Sequence, residues 1–598
     1  MRRAHWLRRN KASSLPHLAI WTDTETLQER VNPSTVRHVL DFGWACYQRT
    51  LPDGSWSAPS WLRYETPYEF WDWVESLARP KTKVYLYAHN WGFDAPVLRT
   101  FEVLPERNWR MKTAIVECPP VILKWVSDRK SIVMLDTLNW FRTSLKALGE
   151  SIGSEKLPTP SRQASRAEWD AYCRQDVETI RVATHKWWKF LATYDLGAHA
   201  PTLAGQAFGA FRHRFMTSDI LVDDNPLALE IARKAYRGGR VEAYQLGRID
   251  GPIEHFDVNS MYPHVMRDCE YPTILRLAAR CVELSELREW LARFAVCADV
   301  DLDTNEPAYH ATIDGRLCFP VGRFRSHLTT PELTYALEKG HITKVHSAAL
   351  YDKANLFREF VDVLYALRRD AKERQNDVDA WLLKIMMNSL YGKFGQNGMV
   401  WANVDTTDDR TIARWSEVDA DTGIVYAWRK FSGLIQRKDL VPESRESCPA
   451  IAAHVTAYAR MLLYRLCLQA GPAEVYYVDT DSIFCSSRGA RRLAEHVDAV
   501  ALGKLKHEGT HPWMTIHGAK DYQTEKGRVL KGVRPSAEWL SANTTRQEEW
   551  SSIGGLIERG DLSAPTTTQR LKTQQRKYTK GYVDGSGRVH PFRLTLPR

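Results

Sequence analysis

Along the first third of the chain, short apolar runs rich in β-branched and aromatic residues alternate with longer amphipathic stretches. Leu18 to Trp21, Val39 to Tyr47 and Val84 to Ala88 predict three strands. The pattern turns helical from about Glu178 to Ala210. Farther on, a Leu/Ala-rich helix is expected near 282–294 and a strand near 295–301. Another helix should open with Thr330 as N-cap and Pro331 in its first position. Residues 355–395 predict a helical pair, in which Lys384, Asn388 and Tyr391 share one face among Leu383, Met386, Met387 and Leu390. Thr411 to Val418 and Ile424 to Phe431 predict two strands joined by a turn at Asp419 to Gly423. Val475-Tyr476-Tyr477 and Ile483-Phe484 enclose a polar segment, as in a buried hairpin whose tip carries Asp479 and Asp481.

A chain of 598 residues is too long for one core and predicts two to four domains or subdomains. The 82 Lys and Arg against 72 Asp and Glu leave a net charge of +10, which fits a polyanionic partner. Ten cysteines without a Cys-x-x-Cys pair indicate neither a zinc site nor a disulfide framework, and fit a reducing compartment. No apolar run approaches membrane-spanning length and no signal-peptide pattern opens the chain. The expected location is the cytoplasm, that of a host cell if the chain is viral or plasmid-borne, with the mitochondrion second. The basic start, Met1 to Lys11, is expected to be a disordered arm that touches DNA.

Asp479 and Asp481, at i and i+2 on an extended backbone, would project the same way about 6.6 Å apart and repel unless a cation lay between them. Mg²⁺, held by carboxylates and substrate phosphates, is the economical choice. Asp257, which ends an apolar strand, is the candidate third carboxylate, and together they suggest phosphoryl transfer. Upstream, Asp23 and Glu25 leave one side of the first strand, Asp94 follows in a loop, and Tyr172 and Asp176 share a helical face. Four acids converging from a strand, a loop and a helix would hold two divalent ions that activate water against a phosphodiester.

Three stretches, Asp257 to Pro263, Lys384 to Gly392 and Tyr477 to Ser482, resemble in sequence and order the polymerase motifs of family B DNA polymerases, in the protein-primed branch that replicates linear phage and plasmid genomes. The resemblance covers roughly Asp23 to Tyr522. It implies an RNase H-like α/β exonuclease domain, 1–195, and an α+β polymerase domain, 196–598. In the latter the palm is expected at about 230–345 and 448–522, the fingers at 350–397, a hairpin insertion at 398–447 and the thumb at 523–598.

The activity implied is DNA-dependent DNA synthesis with 3′–5′ proofreading and two Mg²⁺ ions per active site, Mn²⁺ being an alternative ion. The partners implied are primer-template DNA, dNTPs and a terminal protein primer, for a monomer that does not meet a membrane. A nucleic-acid-primed repair or plasmid polymerase and an inactive nucleic-acid-binding relic stand as alternatives.

The resemblance also assigns residues. Asp257 and Asp481 would bridge both polymerase metals with Asp479 nearby, and the Val258 carbonyl would complete one shell. Lys384 would bind the triphosphate, Asn388 and Tyr391 would shape the base-pair pocket, and Tyr262 would exclude a 2′-hydroxyl. In the exonuclease, Asp23, Glu25, Asp94 and Asp176 would hold metal, Tyr172 would orient water, and Asn90 and Phe93 would touch the unpaired 3′ end. Ser144 and Leu145 match a further strand-binding motif, for which a helix N-cap is an equal alternative.

Tyr236, Gly238 and Gly239 resemble the family's tyrosine-diglycine linker to the template. Thr456 to Arg460 resembles a primer-template motif, with a surface charge as the alternative for Arg460. Lys520 and Tyr522 would hold the primer terminus. Lys526, Arg528, Lys531 and Arg534 would make a basic thumb.

Two insertions bear on biology. The stretch from Arg323 to Phe357 is compact, so the family's terminal-protein contact is expected to be reduced there. The hairpin at 398–447 would encircle downstream DNA and confer strand displacement, an inert surface hairpin being the alternative. Arg429, Lys430, Arg437 and Lys438 are its expected phosphate contacts, and Asp408, Asp409, Asp419 and Asp421 would keep its tip off DNA.

Overall fold

Leu18–Asn32 begins with five buried residues and ends exposed, so its first half takes the middle of a sheet and its second half projects as a hairpin arm with Thr35–Arg49. Lys83–Ala88 and then Lys130–Asp136 extend this sheet in parallel, with helices filling the crossovers, and Val121–Ser127 and Arg110–Val116 close the edge. Arg166–Thr193, started by a Ser165–Glu168 capping box, packs Val177, Ile180, Trp187 and Trp188 against Trp21 and Tyr87 on one face. Pro67–Leu77 and the short helices after it cover the other face through Phe70, Trp71 and Leu104. The helical stretch expected at 178–210 is two helices, broken where Asp195 and Gly197 take left-handed backbone, and restarted by the Thr202 cap at Leu203–Ala210.

The computed structural model describes residues 3–117, 119–161, 163–441 and 443–595, with the backbone alone at 399–400 and 439–441. Met1 and Arg2 of the basic start, Pro442 of the insertion and residues 596–598 of the expected thumb lie outside the described residues.

The second sheet is antiparallel, in the order Val241–Ala243, Val475–Asp479, Ser482–Ser486, Gly247–Val258, Leu505–Gly518, Asp521–Thr524, Gly527–Leu530. The largely buried helix Pro449–Ala470 backs it, and the pair Arg358–Glu373 and Asp377–Phe394 stands beside it. One core runs through both regions, from Trp21 and Trp187 to Phe256, Leu383 and Val455, and Phe141 stacks on Trp381 across them.

A third sheet runs in the order Tyr271–Val282, Ile342–Ala354, Ala295–Thr304, Val321–Thr329 and Arg593–Leu594, and the stretch Arg323 to Phe357, expected to be compact, supplies Ile342–Ala354 and most of Val321–Thr329. The helix after it, Thr330–Glu338, is capped by Thr329 rather than Thr330. The Thr329 N–H donates to the Glu332 carboxylate at 3.2 Å, while the Thr330 hydroxyl accepts from the Val296 N–H.

Three further expectations change. The basic start is ordered: His5–Trp6 pairs with Leu221–Val222, Leu7 is buried in the main core, and the Asn10 N–H donates to the Arg212 carbonyl. Leu7 and these backbone bonds together anchor the basic run. The insertion is four strands, Gly398–Thr406, Leu434–Val441, Val425–Phe431 and Ala413–Val418, of which the last two are the expected hairpin. The C-terminal stretch from 523 is shared out: Gly527–Leu530 joins the second sheet, while Thr544–Trp550 and Thr566–Thr573 extend the first through Thr35–Arg37. Among the described residues no helix is long and apolar enough to cross a membrane.

Candidate active sites

Gly247–Val258 carries Asp257 opposite Ser482, beside the tip of the hairpin Val475–Asp479 and Ser482–Ser486. That tip is a two-residue turn, Thr480-Asp481, with the β-branched Thr480 at φ +65°. Such a conformation costs about 1–3 kcal/mol and persists only where its surroundings hold it. Here the Thr480 N–H donates to the Arg240 carbonyl at 2.7 Å and the Val258 N–H donates to the Asp481 carbonyl at 2.8 Å.

The expectation that Asp479 and Asp481 project alike therefore fails, because extended geometry ends at Asp479. Asp479 accepts from Lys520 Nζ at 2.7 Å, Thr480 Oγ1 at 3.1 Å and the Tyr477 hydroxyl at 3.2 Å. Asp481 instead lines a cleft of about 290 Å³ with Asp257, Glu508, Tyr262, Lys384 and Asn388, and with Arg368, Arg369, Lys372 and Lys506.

In that cleft burial, then Asp481 and Glu508, push the Asp257 carboxyl up to about 7, and burial raises Asp481 too. The Asp257 carboxylate accepts no hydrogen bond among the described residues. The Asp257 and Asp481 carboxyls together fit a divalent-ion site, Glu508 accepts from Lys506 Nζ at 2.7 Å, and the four cations of the two helices, Arg368, Arg369, Lys372 and Lys384, fit a polyphosphate. Sequence reasoning missed Glu508, Lys506 and the basic face of Arg358–Glu373, although Arg368 and Lys372 stand one helical turn apart.

The remaining expected residues gather around this cleft. Tyr262 stacks on Tyr391, centroids 4.8 Å apart, and Asn388 Nδ2 donates to the Lys384 carbonyl. The second glycine of the Tyr236-Arg237-Gly238-Gly239 turn meets the hairpin tip. A Cβ on Gly239 would lie 2.9 Å from Thr480 Cγ2 and 3.0 Å from the Tyr262 hydroxyl. Tyr236 covers Gly395 in the same way, and Gly238 is open. Tyr522 packs on Tyr477 and Phe484, beneath Lys520.

Arg460 is neither a surface charge nor free for DNA. It is 2% exposed, donates to Glu332 Oε1 at 2.8 Å and to the carbonyls of Arg237 and Gly238 at 2.9 and 3.1 Å, and so braces the glycine turn from beneath. Thr456 is buried as well, bonded to its own helix.

The second cluster lies on the first sheet. Asp23 and Glu25, alternate residues of Leu18–Asn32, meet Asp176 and Tyr172 from Arg166–Thr193 and Asp94 from Trp91–Val97. The Thr24 hydroxyl donates to Asp94 at 2.7 Å. Burial, then Asp176, pushes Glu25 up to about 7 and raises Asp23 strongly. Burial pushes Asp94 up to about 7 and Asp176 up to about 6.

Lys156, which sequence reasoning missed, ion-pairs with Asp176 and lies 4.3 Å over the Tyr172 ring. One lysine against four carboxylates leaves excess negative charge, and Asp176 Oδ1 is buried with no partner among the described residues. Both facts fit bound divalent ions. Cys173 also faces the cluster, and its ligand atom and those of Asp23 and Glu25 lie within 4.8 Å of one another.

Asn90, at φ +96°, is held by its N–H donating to Asp136, and Phe93 presents its ring edge to His38 and Trp550. Ser144 is the N-cap of Leu145–Ile152, accepting from the Ala147 N–H at 3.2 Å, which matches the alternative given for it.

In the insertion, Arg429 is buried, donates to Gln436 Oε1 at 2.7 Å and stacks on Trp401, so it is not a phosphate contact. Lys430 pairs with Asp409. Arg437 lies over Tyr426, and Lys438 is exposed. Asp419 caps its own turn, accepting from the Thr422 N–H. Phe431 and Leu434 enter the core of the first sheet, and Ser432 and Gln436 donate to the carbonyls of Phe101 and Ala114.

An α/β domain on the first sheet joined to an antiparallel sheet with a helical pair beside it, with an acid cluster in each part, is a fold shared with family B DNA polymerases. Residues 158–421 match the family described as DNA polymerase type B, organellar and viral. The chain is 24% identical over 553 residues to the DNA-directed DNA polymerase of Enterobacteria phage PRD1, covering 86% of this chain and 88% of that one. It is 24% identical over 368 residues to a probable DNA polymerase of Neurospora intermedia, covering 56% of this chain and 35% of the relative. The chain thus spans about a third of the length of that fungal relative.

Phi29 DNA polymerase complexed with primer-template DNA superposes with a TM-score of 0.68 at 16% identity, covering 94% of this chain and 100% of that one. Its ternary complex with incoming nucleotide gives 0.67, over 93% and 100%. The expected resemblance to the protein-primed branch of family B stands.

Proposed function

We propose that this chain is a DNA-directed DNA polymerase with a 3′–5′ proofreading exonuclease, replicative, protein-primed and strand-displacing. The observation that carries the reading is the pair of separate acid clusters, one facing four cations of the helical pair in an open cleft and the other enclosed on the first sheet. Primer-template DNA and dNTPs are the substrates, by likeness of fold to the phi29 polymerase complexes with primer-template DNA and incoming nucleotide. A terminal protein supplies the first hydroxyl, and the polymerase acts as a monomer.

Asp257 and Asp481, with the Val258 carbonyl, would hold Mg²⁺, while Asp479 is occupied by Lys520 and has the lesser role. Asp23, Glu25, Asp94 and Asp176 would hold the exonuclease ions. Divalent ions bound there supply activation of a hydroxyl or water and neutralisation of the departing oxyanion. The protein's own part is placement. Lys384, with Arg368 and Lys372, draws the triphosphate into the cleft. Tyr262, fixed by its stack on Tyr391, fills the space a 2′-hydroxyl would need. Lys520 and Tyr522 hold the primer end beside Asp479. In the exonuclease, Tyr172, oriented by Lys156 and Thr159, aligns the attacking water, and Asn90 and Phe93 hold the frayed end.

A labelled primer-template incubated with Mg²⁺ tests the reading. Extension with dNTPs and shortening from the 3′ end without them are the expected results. A primer unchanged in both lanes overturns it. Adding a terminal protein to an unprimed template then tests the priming step.

A further inference from the structure

We propose that the acid cluster of the first sheet also accepts thiophilic divalent ions, with Cys173 as a ligand beside Asp23 and Glu25. The inference rests on reading that cluster as the exonuclease metal centre. Cys173 lies on the inward face of Arg166–Thr193, fully buried, with Sγ 3.8 Å from Asp23 Oδ2 and 3.5 Å from the Asp23 carbonyl oxygen.

Sulfur at about 2.3 Å and oxygen at about 2.1 Å from one tetrahedral ion stand about 3.6 Å apart. Cys173 Sγ and Asp23 Oδ2 therefore already stand close to the separation that one such ion sets, with Glu25 within 4.8 Å of both. An independent sign comes from Asp176, 2% exposed, whose Oδ1 has no partner among the described residues. Asp176 stands three residues on from Cys173, on the same buried face of Arg166–Thr193, so its free oxygen belongs to the same cluster.

Oxygen ligands suit Mg²⁺, whereas a thiolate among them shifts preference toward Zn²⁺ and Cd²⁺. Binding exchanges the thiol proton for the metal: Cys–SH and M²⁺ give Cys–S–M and H⁺, and no electron moves. The polymerase cleft is lined by Asp257, Asp481 and Glu508 but by no cysteine. The two centres should therefore respond differently to the same ion.

The metal-stripped full-length chain is titrated with Co²⁺ and read by thiolate-to-metal charge-transfer absorbance, in parallel with Cys173→Ser and Cys173→Ala. Subtracting the variants removes the signal of the other cysteines. The expected result is a band lost in both variants, together with Zn²⁺ inhibition of 3′-end shortening that weakens at least about tenfold in them. Primer extension by the variants reports that they fold. An equal band and equal Zn²⁺ sensitivity in all three proteins overturns the inference. If the wild type never shortens the primer in Mg²⁺ yet shows the Cys173-dependent band, the exonuclease reading fails and the ion site stands. Shortening without that band removes the ion site alone.

Discussion

Arg460 and Glu332 are 2% and 1% exposed, and the pair joins the helix Pro449–Ala470 to Thr330–Glu338 while Arg460 also holds the two carbonyls of the glycine turn. Removing one partner of such a pair leaves an uncompensated buried charge and costs about 3–5 kcal/mol, whereas replacing both with apolar residues of similar size is often neutral or stabilising. Arg460→Met and Glu332→Gln should each lower stability by about that amount, and Arg460→Met/Glu332→Met should lower it less than either. Denaturant unfolding followed by tryptophan fluorescence measures the cycle. DNA binding at several salt concentrations separates this role from a phosphate contact, which would lower the slope of log affinity against log salt by about 0.9. An internal brace leaves that slope unchanged. Stability retained in Arg460→Met together with a slope lowered by about 0.9 would refute the reasoning.

Gly239→Ala should push the hairpin tip by tenths of an ångström, since its Cβ would stand 2.9 Å from Thr480, and slow nucleotide addition about tenfold without affecting 3′-end shortening; an unchanged addition rate contradicts the close contact. Glu25, at about 7 when folded against its ordinary value near 4.5, makes a contribution to stability that is full below that ordinary value and lost as pH rises through about 7. Glu25→Gln should therefore stabilise the metal-free protein at about pH 8 and not at about pH 4. Taking the difference from wild type cancels the buried histidines, His89 and His185, whose lowered values act in the opposite direction. Thermal melts in chelator test this, and a benefit confined to low pH contradicts it. In the insertion, residues 416–427 can be replaced by Asn-Gly, joining Trp415 to Trp428, which already stack at 5.7 Å, and leaving Phe431 and Leu434 in the core. Extension on single-stranded template should persist while synthesis stops at a downstream duplex; undiminished displacement removes the hairpin from that role.

Asp257, Asp479 and Asp23 were legible because each follows an apolar run, where a carboxylate needs a reason to be, and Asp176 because it shares a helical face with Tyr172, whereas Glu508 carried no such signal. Lys384, Asn388 and Tyr391 were legible because helical spacing puts them on one face, and Tyr262 because the stretch Asp257 to Pro263 resembles a family motif. What could not be read is what stands opposite a charge. Arg460 lies in an ordinary helix, and only the fold brings Glu332 under it. Lys156 comes from a loop with no periodic relation to Asp176. The Thr480-Asp481 turn has no glycine or asparagine to announce a positive φ, because Arg240 and Val258 hold it from outside. The pairing of Thr566–Thr568 with Arg37–Thr35 spans more than 500 residues of chain, and nothing local in either strand names its partner.

The central claim is that two acid clusters in one chain run two separate reactions. Asp257→Asn and Asp23→Asn, assayed on one labelled primer-template with Mg²⁺, with and without dNTPs, test it most directly. Asp257→Asn should abolish extension and leave 3′-end shortening, and Asp23→Asn should abolish shortening and leave extension. Loss of both activities from either single change, in protein that remains folded, would contradict the account.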